Sequence, residues 1–252
     1  MVDIHSHILP GLDDGAKTID DSVAMLKVAA ESGTTDIVAT PHSDMHYQFQ
    51  PELIEEKIKE LQSLAGNSIR IHRGCDFHLH FDNIQDCLAH PTKYTINHKN
   101  YLLVEFSDQL IAPTSGEIFN RLSNVGITPI ITHPERNALL SKKLDLLARW
   151  IQEGALVQVT AQSFLGRFGK HAISTSEELM DKGMVHFIAS DAHDTEYRPP
   201  ILRDAYKHIE HKYGADRAEA LFTINPRATL TGEYLEFFDV AEVKPRKWYQ
   251  FW

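Results

Sequence analysis

Seven short apolar runs, each followed by a longer stretch of helical character, set the terms on which this chain can fold. The runs are Val2–Ile8, Asp36–Thr40, Ile69–Gly74, Tyr101–Phe106, Thr128–Thr132, Leu156–Thr160 and His186–Ala189. Several are nearly continuous in apolar residues, as strands buried on both faces read. Between them lie helical candidates at Asp20–Glu31, from Pro51 onward, and at Thr114–Val125, Leu144–Glu153, Ser174–Lys182, Leu202–Tyr213 and Ala215–Phe222. Gly33, Gly154, Gly183 and Gly214 follow as stop signals. The alternation predicts an α/β fold, a distorted TIM-like barrel of about seven parallel strands with outer helices. The length of 252 residues suits one such barrel.

Composition narrows the partners. With 25 basic against 35 acidic residues the net charge is −10, the wrong sign for a general nucleic-acid or anionic-membrane binder. An anionic substrate stays allowed, because several divalent ions in one pocket reverse the local sign. Two cysteines, Cys75 and Cys87, do not make a disulfide framework. No secretory signal opens the sequence and no segment approaches the ~20 apolar residues of a membrane span, so a cytoplasmic location is expected.

The chemistry gathers where the apolar runs stop. His5 and His7 end the first, and His42 follows the second in Ala39-Thr40-Pro41-His42. Asp76 follows the third, Glu105 ends the fourth, and His133 follows the fifth. Asp191 and His193 follow the last, and Asp13-Asp14-Gly15 lies in the loop after the first. A single such residue is more often a hydrogen-bonded core histidine or a capping aspartate, and His-x-His recurs at His78-Leu79-His80. The series as a whole resists that reading, since strand ends of a parallel barrel converge and buried ionisable groups are costly unless paired or metal-bound. Imidazoles mixed with carboxylates suit zinc, manganese or iron, and so many ligands call for two or three ions.

In this order the residues resemble the polymerase and histidinol phosphatase (PHP) superfamily. They are closest to its CpsB/CapC-type bacterial tyrosine-phosphatase branch, encoded beside capsular and exopolysaccharide export systems. The resemblance rests on Asp3-Ile4-His5-Ser6-His7-Ile8, Asp13-Asp14-Gly15, Val104-Glu105-Phe106-Ser107, His133-Pro134-Glu135-Arg136 and Ser190-Asp191-Ala192-His193. Arg198-Pro199-Pro200 and Asn225-Pro226-Arg227 add to it, and it extends to about Thr231. It implies residues 1–236 as one PHP domain and 237–252 as an aromatic and basic tail. It also implies a site of three divalent ions, manganese first and zinc or iron next. His5, His7, Asp76 and Asp191 would hold the first, Asp76, Glu105 and His133 the second, and Asp14, His42 and His193 the third. Asp76 stands where the family usually has glutamate, one methylene longer.

The implied activity is hydrolysis of phosphotyrosine on a protein, with a tyrosine autokinase tail of the export machinery as partner. Arg136 and Arg198 are the expected phosphate clamps, because a planar guanidinium binds phosphate bidentately; a surface salt bridge is the competing reading for each. Asp191 or His193 is expected to assist the leaving group. No Cys is followed six residues on by Arg, so a cysteine-dependent phosphatase is excluded. Three other readings stay open: a small-molecule phosphatase such as histidinol phosphatase, a metal-dependent amidohydrolase, and a non-catalytic phosphotyrosine-binding module. Met45, His46, Tyr47 and Phe49 are candidates for an aromatic lid, against ordinary loop packing. The tail aromatics, Trp248 to Trp252, are read either as a strap on the body or as a contact between copies or with a partner.

Overall fold

The computed structural model describes residues 1–235, so the expected tail lies outside the described residues. Its strands are β1 (Val2–Ser6), β2 (Asp36–Ala39), β3 (His42–Ser43), β4 (Arg70–Arg73), β5 (Asp76–His78), β6 (Tyr101–Glu105), β7 (Thr128–Thr132), β8 (Leu156–Thr160) and β9 (Phe187–Ala189). Every strand pairing is parallel, in the orders β1-β2-β4 and β3-β5-β6-β7-β8-β9. β3 prolongs β2 and β5 prolongs β4, so the strands occupy seven positions, as expected from the sequence. The interruptions fall at Pro41, which has no N–H to give a ladder, and at Gly74. A Cβ on Gly74 would lie 2.8 Å from the Val38 side chain. Gly74 N–H still donates to Ala39 O and Asp76 N–H to Pro41 O, carrying the pairing across the gap. The ring is joined at its seam by a single bridge, Ser6–Ala192, rather than a full ladder.

Two apolar clusters hold this ring. The larger lies between strands and helices, and the smaller includes Val2, Ile4, Val38, Tyr101, Leu103, Leu156, Phe187 and Ala189. On β6, β8 and beyond β9 these inner positions share parity with Glu105, Gln158 and Asp191, so the same face is apolar at one end and polar at the other. Ile96 and Leu230 belong to the inner cluster at the apolar end. β1 breaks the alternation: Val2 and Ile4 face inward, and strict period two would turn His5 outward. The register with β2 slips between Asp3 and Ser6, an extra residue that resets the phase and sends His5 inward.

Most expected helices are present within two residues of their ends. Three were not anticipated, Phe81–Ala89, Ala161–Phe164 and Asn225–Thr231, and the helix expected at Ser174 begins at Gly169. Phe81–Ala89 buries only Ile84 and Cys87, too few apolar positions to register as a period. Phe49 is a core residue whose ring packs 4.8 Å from that of Tyr94, so at this position the reading of ordinary packing holds and not that of a lid. No helix among the described residues is long and apolar enough to cross a membrane.

At the N-terminal end of β9, His186 Nδ1 accepts the Val157 N–H at 3.1 Å. Burial, with Arg217 nearby, pushes its pKa down to about 4. The folded state therefore binds fewer protons than the unfolded chain between about pH 4 and 6.5. The stability this neutral ring contributes is complete above about 6.5 and is lost as pH falls toward 4, at most about 3 kcal/mol. His186→Asn keeps an acceptor but cannot titrate. Urea unfolding of the variant is expected to weaken less than wild type between pH 7 and 5; equal weakening would remove His186 as the cause.

Candidate active site

The nine residues expected as ligands lie in one continuous cluster at the C-terminal ends of the strands. His5 Nε2 is 3.3 Å from His7 Nε2 and 3.5 Å from both Asp76 Oδ2 and Asp191 Oδ1. His42 Nδ1 is 3.3 Å from Asp76 Oδ2, and its Nε2 is 3.3 Å from Asp14 Oδ1. Asp14 Oδ1 in turn is 3.4 Å from His193 Nε2, and His133 Nε2 is 3.5 Å from Glu105 Oε1. Donors about 2.1 Å from a shared ion stand roughly 3.0–3.4 Å apart, close to the spacing seen. Four overlapping sets bring ligand atoms within 4.8 Å of one another: His7, Asp14, His42 and His193; His42, Asp76, His78 and Glu105; His5, His7 and Asp76; and His5, His133 and Asp191. The sets differ in detail from the expected partition. His133 groups with His5 and Asp191, and His78 joins Asp76 and Glu105.

The backbone and outer side chains aim these groups. Asp13 Oδ2 accepts from His7 Nδ1 at 2.7 Å, and Gln158 Oε1 faces His5 Nδ1 at 2.9 Å, which turns both Nε2 atoms into the cluster. Asp13 Oδ2 also accepts the His42 N–H at 3.2 Å, tying the first loop to β3. A Cβ on Gly15 would lie 2.0 Å from His7 O, so only glycine lets this loop return against β1. His133 and Asp191 sit at φ 33° and 51°, left-handed conformations at strand ends that L-residues seldom adopt and that cluster at functional sites. Neither Gln158 nor His78 belongs to the series of strand-end residues that the sequence pattern picks out. The signal for Gln158 was a lone polar residue inside Leu156-Val157-Gln158-Val159.

The charges call for a cation. Both Asp76 oxygens, Glu105 Oε2 and His42 Nδ1 are buried without a hydrogen bond, an arrangement that costs free energy unless something cationic meets them. Burial and the neighbouring Asp76 raise the Glu105 pKa, whereas Asp76, despite its burial, is held well below the carboxylate range by His5 and His42. His42 is pushed up to about 12: burial opposes its charge, but Asp14 and Asp76 outweigh it. A proton on His42 thus stands in for missing positive charge, and metal binding displaces such protons. Burial lowers His133 and brings His193 down to about 4, leaving both neutral as metal ligation requires. The nitrogen and oxygen donors fit manganese, iron or zinc.

Arg136 and Arg198 each donate from Nη2 to Asp191 Oδ2. Although burial works the other way, Arg136, His5 and Arg198 keep Asp191 ionised, as an acceptor and not a proton donor. Both Nε atoms are buried without a partner, and the Arg136 guanidinium stacks on Phe168 at 4.6 Å. Both arginines line a cavity of about 190 Å³ together with Asp76, Glu105, His133 and His193. Glu105 and Phe106 connect it to a larger cleft of about 660 Å³, walled in part by Met45, Leu79 and Leu110. Cys75 and Cys87 are buried, and burial raises both thiols, Cys87 to about 12, so neither is a nucleophile.

Residues 1–231 match the family described as capsular polysaccharide synthesis, CpsB/CapC. The chain belongs to the CpsB/CapC family. Within it, the CapC protein of Staphylococcus aureus is 36% identical, over 99% of both chains. The tyrosine-protein phosphatase YwqE of Bacillus subtilis is 32% identical, over 100% of both. A crystal structure reported for YwqE and for CpsB of Streptococcus pneumoniae, described as unique metal-dependent tyrosine phosphatases, matches with a TM-score of 0.90 at 30% identity, covering 97% of this chain and 100% of that one.

Proposed function

We propose that this member of the family is a metal-dependent tyrosine-protein phosphatase of capsular polysaccharide synthesis, working on phosphotyrosine in the tail of a tyrosine autokinase. The observation that carries the reading is the convergence of unpaired buried ligand atoms and two arginines on one cavity. The names of the family relatives point the same way.

His5, His7, Asp14, His42, Asp76, Glu105, His133, Asp191 and His193 are the proposed holders of three divalent ions, manganese being the first to test. Ions held there supply Lewis acidity toward a phosphoryl group and make water acidic enough to attack at neutral pH. The chain's own residues do the rest. Arg136 and Arg198, anchored on Asp191, keep guanidinium N–H groups free to grip the phosphoryl oxygens as charge shifts between them. Gln158 and Asp13 hold the His5 and His7 rings in the ligating orientation. The small cavity takes the phosphoryl group, and the apolar walls of the adjoining cleft suit the phenyl ring and flanking residues. A phenol of pKa about 10 leaves without full protonation, so an ionised Asp191 is no obstacle.

The test is turnover of a phosphotyrosine peptide against histidinol phosphate, with stripped protein reloaded separately with manganese, zinc and iron. The peptide is expected to be preferred and chelation to abolish its hydrolysis. Preference for histidinol phosphate would move the same site to small-molecule chemistry.

A further inference from the structure

β5 places Asp76 and His78 on one face, two residues apart, while Phe77 between them packs into the outer core. In the parallel register with β6, His78 stands opposite Glu105. Their side chains meet, with His78 Nε2 2.6 Å from Glu105 Oε2. Yet that buried oxygen takes no hydrogen bond, so the ring N–H is not directed along the contact. His42 Nδ1, 3.5 Å from the same oxygen, is also buried without a partner, as are both oxygens of the fully buried Asp76. Two ring nitrogens and two carboxylates therefore offer ligand atoms within 4.8 Å of one another, several of them buried without a hydrogen bond.

Like charges on Asp76 and Glu105 do not share such a volume stably without a cation. At 2.6 Å, His78 Nε2 and Glu105 Oε2 are at hydrogen-bond distance but out of line for the ring N–H, and closer than two ligands of one ion, so an ion would draw them slightly apart. What points to a shared ion is the set of four ligand atoms within 4.8 Å, with the Asp76 oxygens and His42 Nδ1 taking no hydrogen bond. We propose that His78 is itself a metal ligand, completing a set with His42, Asp76 and Glu105. This rests on the reading of the cluster as a metal centre and adds a donor to it. His78 also lines the wider cleft, whereas Glu105 lines both spaces, so this ion lies at the seam where a substrate's ring would pass toward the cavity.

The experiment is equilibrium titration of stripped full-length protein with Mn²⁺, read as free ion, for wild type, His78→Leu, His78→Asp and His78→Gln. Aspartate can ligate but cannot donate to Glu105, whereas glutamine can donate but ligates poorly. His78→Leu is expected to weaken one class of sites by at least about 100-fold, the upper end of what an outer partner costs, and to leave the others unchanged. His78→Asp is expected to recover that class to within about tenfold, and His78→Gln is not. Unchanged binding by His78→Leu overturns the proposal, as does recovery by glutamine instead of aspartate, which would make His78 a positioning residue for Glu105. Absence of Mn²⁺ binding by wild type would instead overturn the metal-centre reading beneath it.

Discussion

Asp76→Ala is expected to lower kcat/KM on a phosphotyrosine peptide by more than about 100-fold, beyond the 10–100-fold that outer partners of a metal site cost. Asp76 is fully buried between His5 at 3.5 Å and His42 at 3.3 Å, and neither of its oxygens takes an aligned hydrogen bond. A carboxylate so placed has two sides to offer, and in the proposed centre its loss would take a ligand from two neighbouring positions at once. The variant is therefore expected to lose bound metal together with turnover. Stripped of metal, it should unfold at a lower temperature than stripped wild type, because His5 and His42 stabilise the ionised Asp76 and lose their counter-charge with it. Kinetics, elemental analysis and thermal unfolding check the three parts. Wild-type turnover in Asp76→Ala would refute the bridging position.

Arg136→Met carries the second large effect, an expected loss of about 10²–10³ in kcat, the range seen when one donor to a developing charge is removed. Methionine keeps most of the apolar contact with Phe168 that the guanidinium makes at 4.6 Å, so the loss reports charge and hydrogen bonding. Arg198→Met should behave alike. Because both guanidiniums meet on Asp191 Oδ2, the double variant is expected to lose less than the product of the single losses. Arg136→Lys keeps charge but not the planar fork, and is expected to recover only part of the rate. Strictly multiplicative losses would place the two arginines in independent roles, and full activity in Arg136→Met would leave it as a structural partner of Asp191.

The sequence displayed the strand positions and the series of polar residues that the fold gathers because both arise from patterns that local residues carry: apolar runs, and polar residues at their ends. It did not display what depends on register. The slip in β1 that turns His5 inward after Ile4 is a property of the pairing with β2. Likewise, two of the runs continue past Pro41 and Gly74 as β3 and β5, short strands beyond the apolar stretch that pair with each other in the larger sheet. His78 looked like one half of a chance His-x-His pair, because its meaning depends on standing opposite Glu105. Phe49 sat in an aromatic segment that suited a lid and ordinary loop packing equally, and its ring fills space beside Tyr94. The grouping of the candidate ligands was the least legible, since His42, His5 and Asp76 each belong to more than one set of neighbouring ligand atoms.

The most direct measurement is the anomalous scattering of crystals grown with Mn²⁺, collected on both sides of the manganese absorption edge. The expected result is a compact group of peaks among His5, His7, Asp14, His42, Asp76, Glu105, His133, Asp191 and His193, with one peak within bonding distance of His78. Peaks elsewhere, or none in crystals of protein that hydrolyses phosphotyrosine, would contradict the assignment of this cluster as the metal centre.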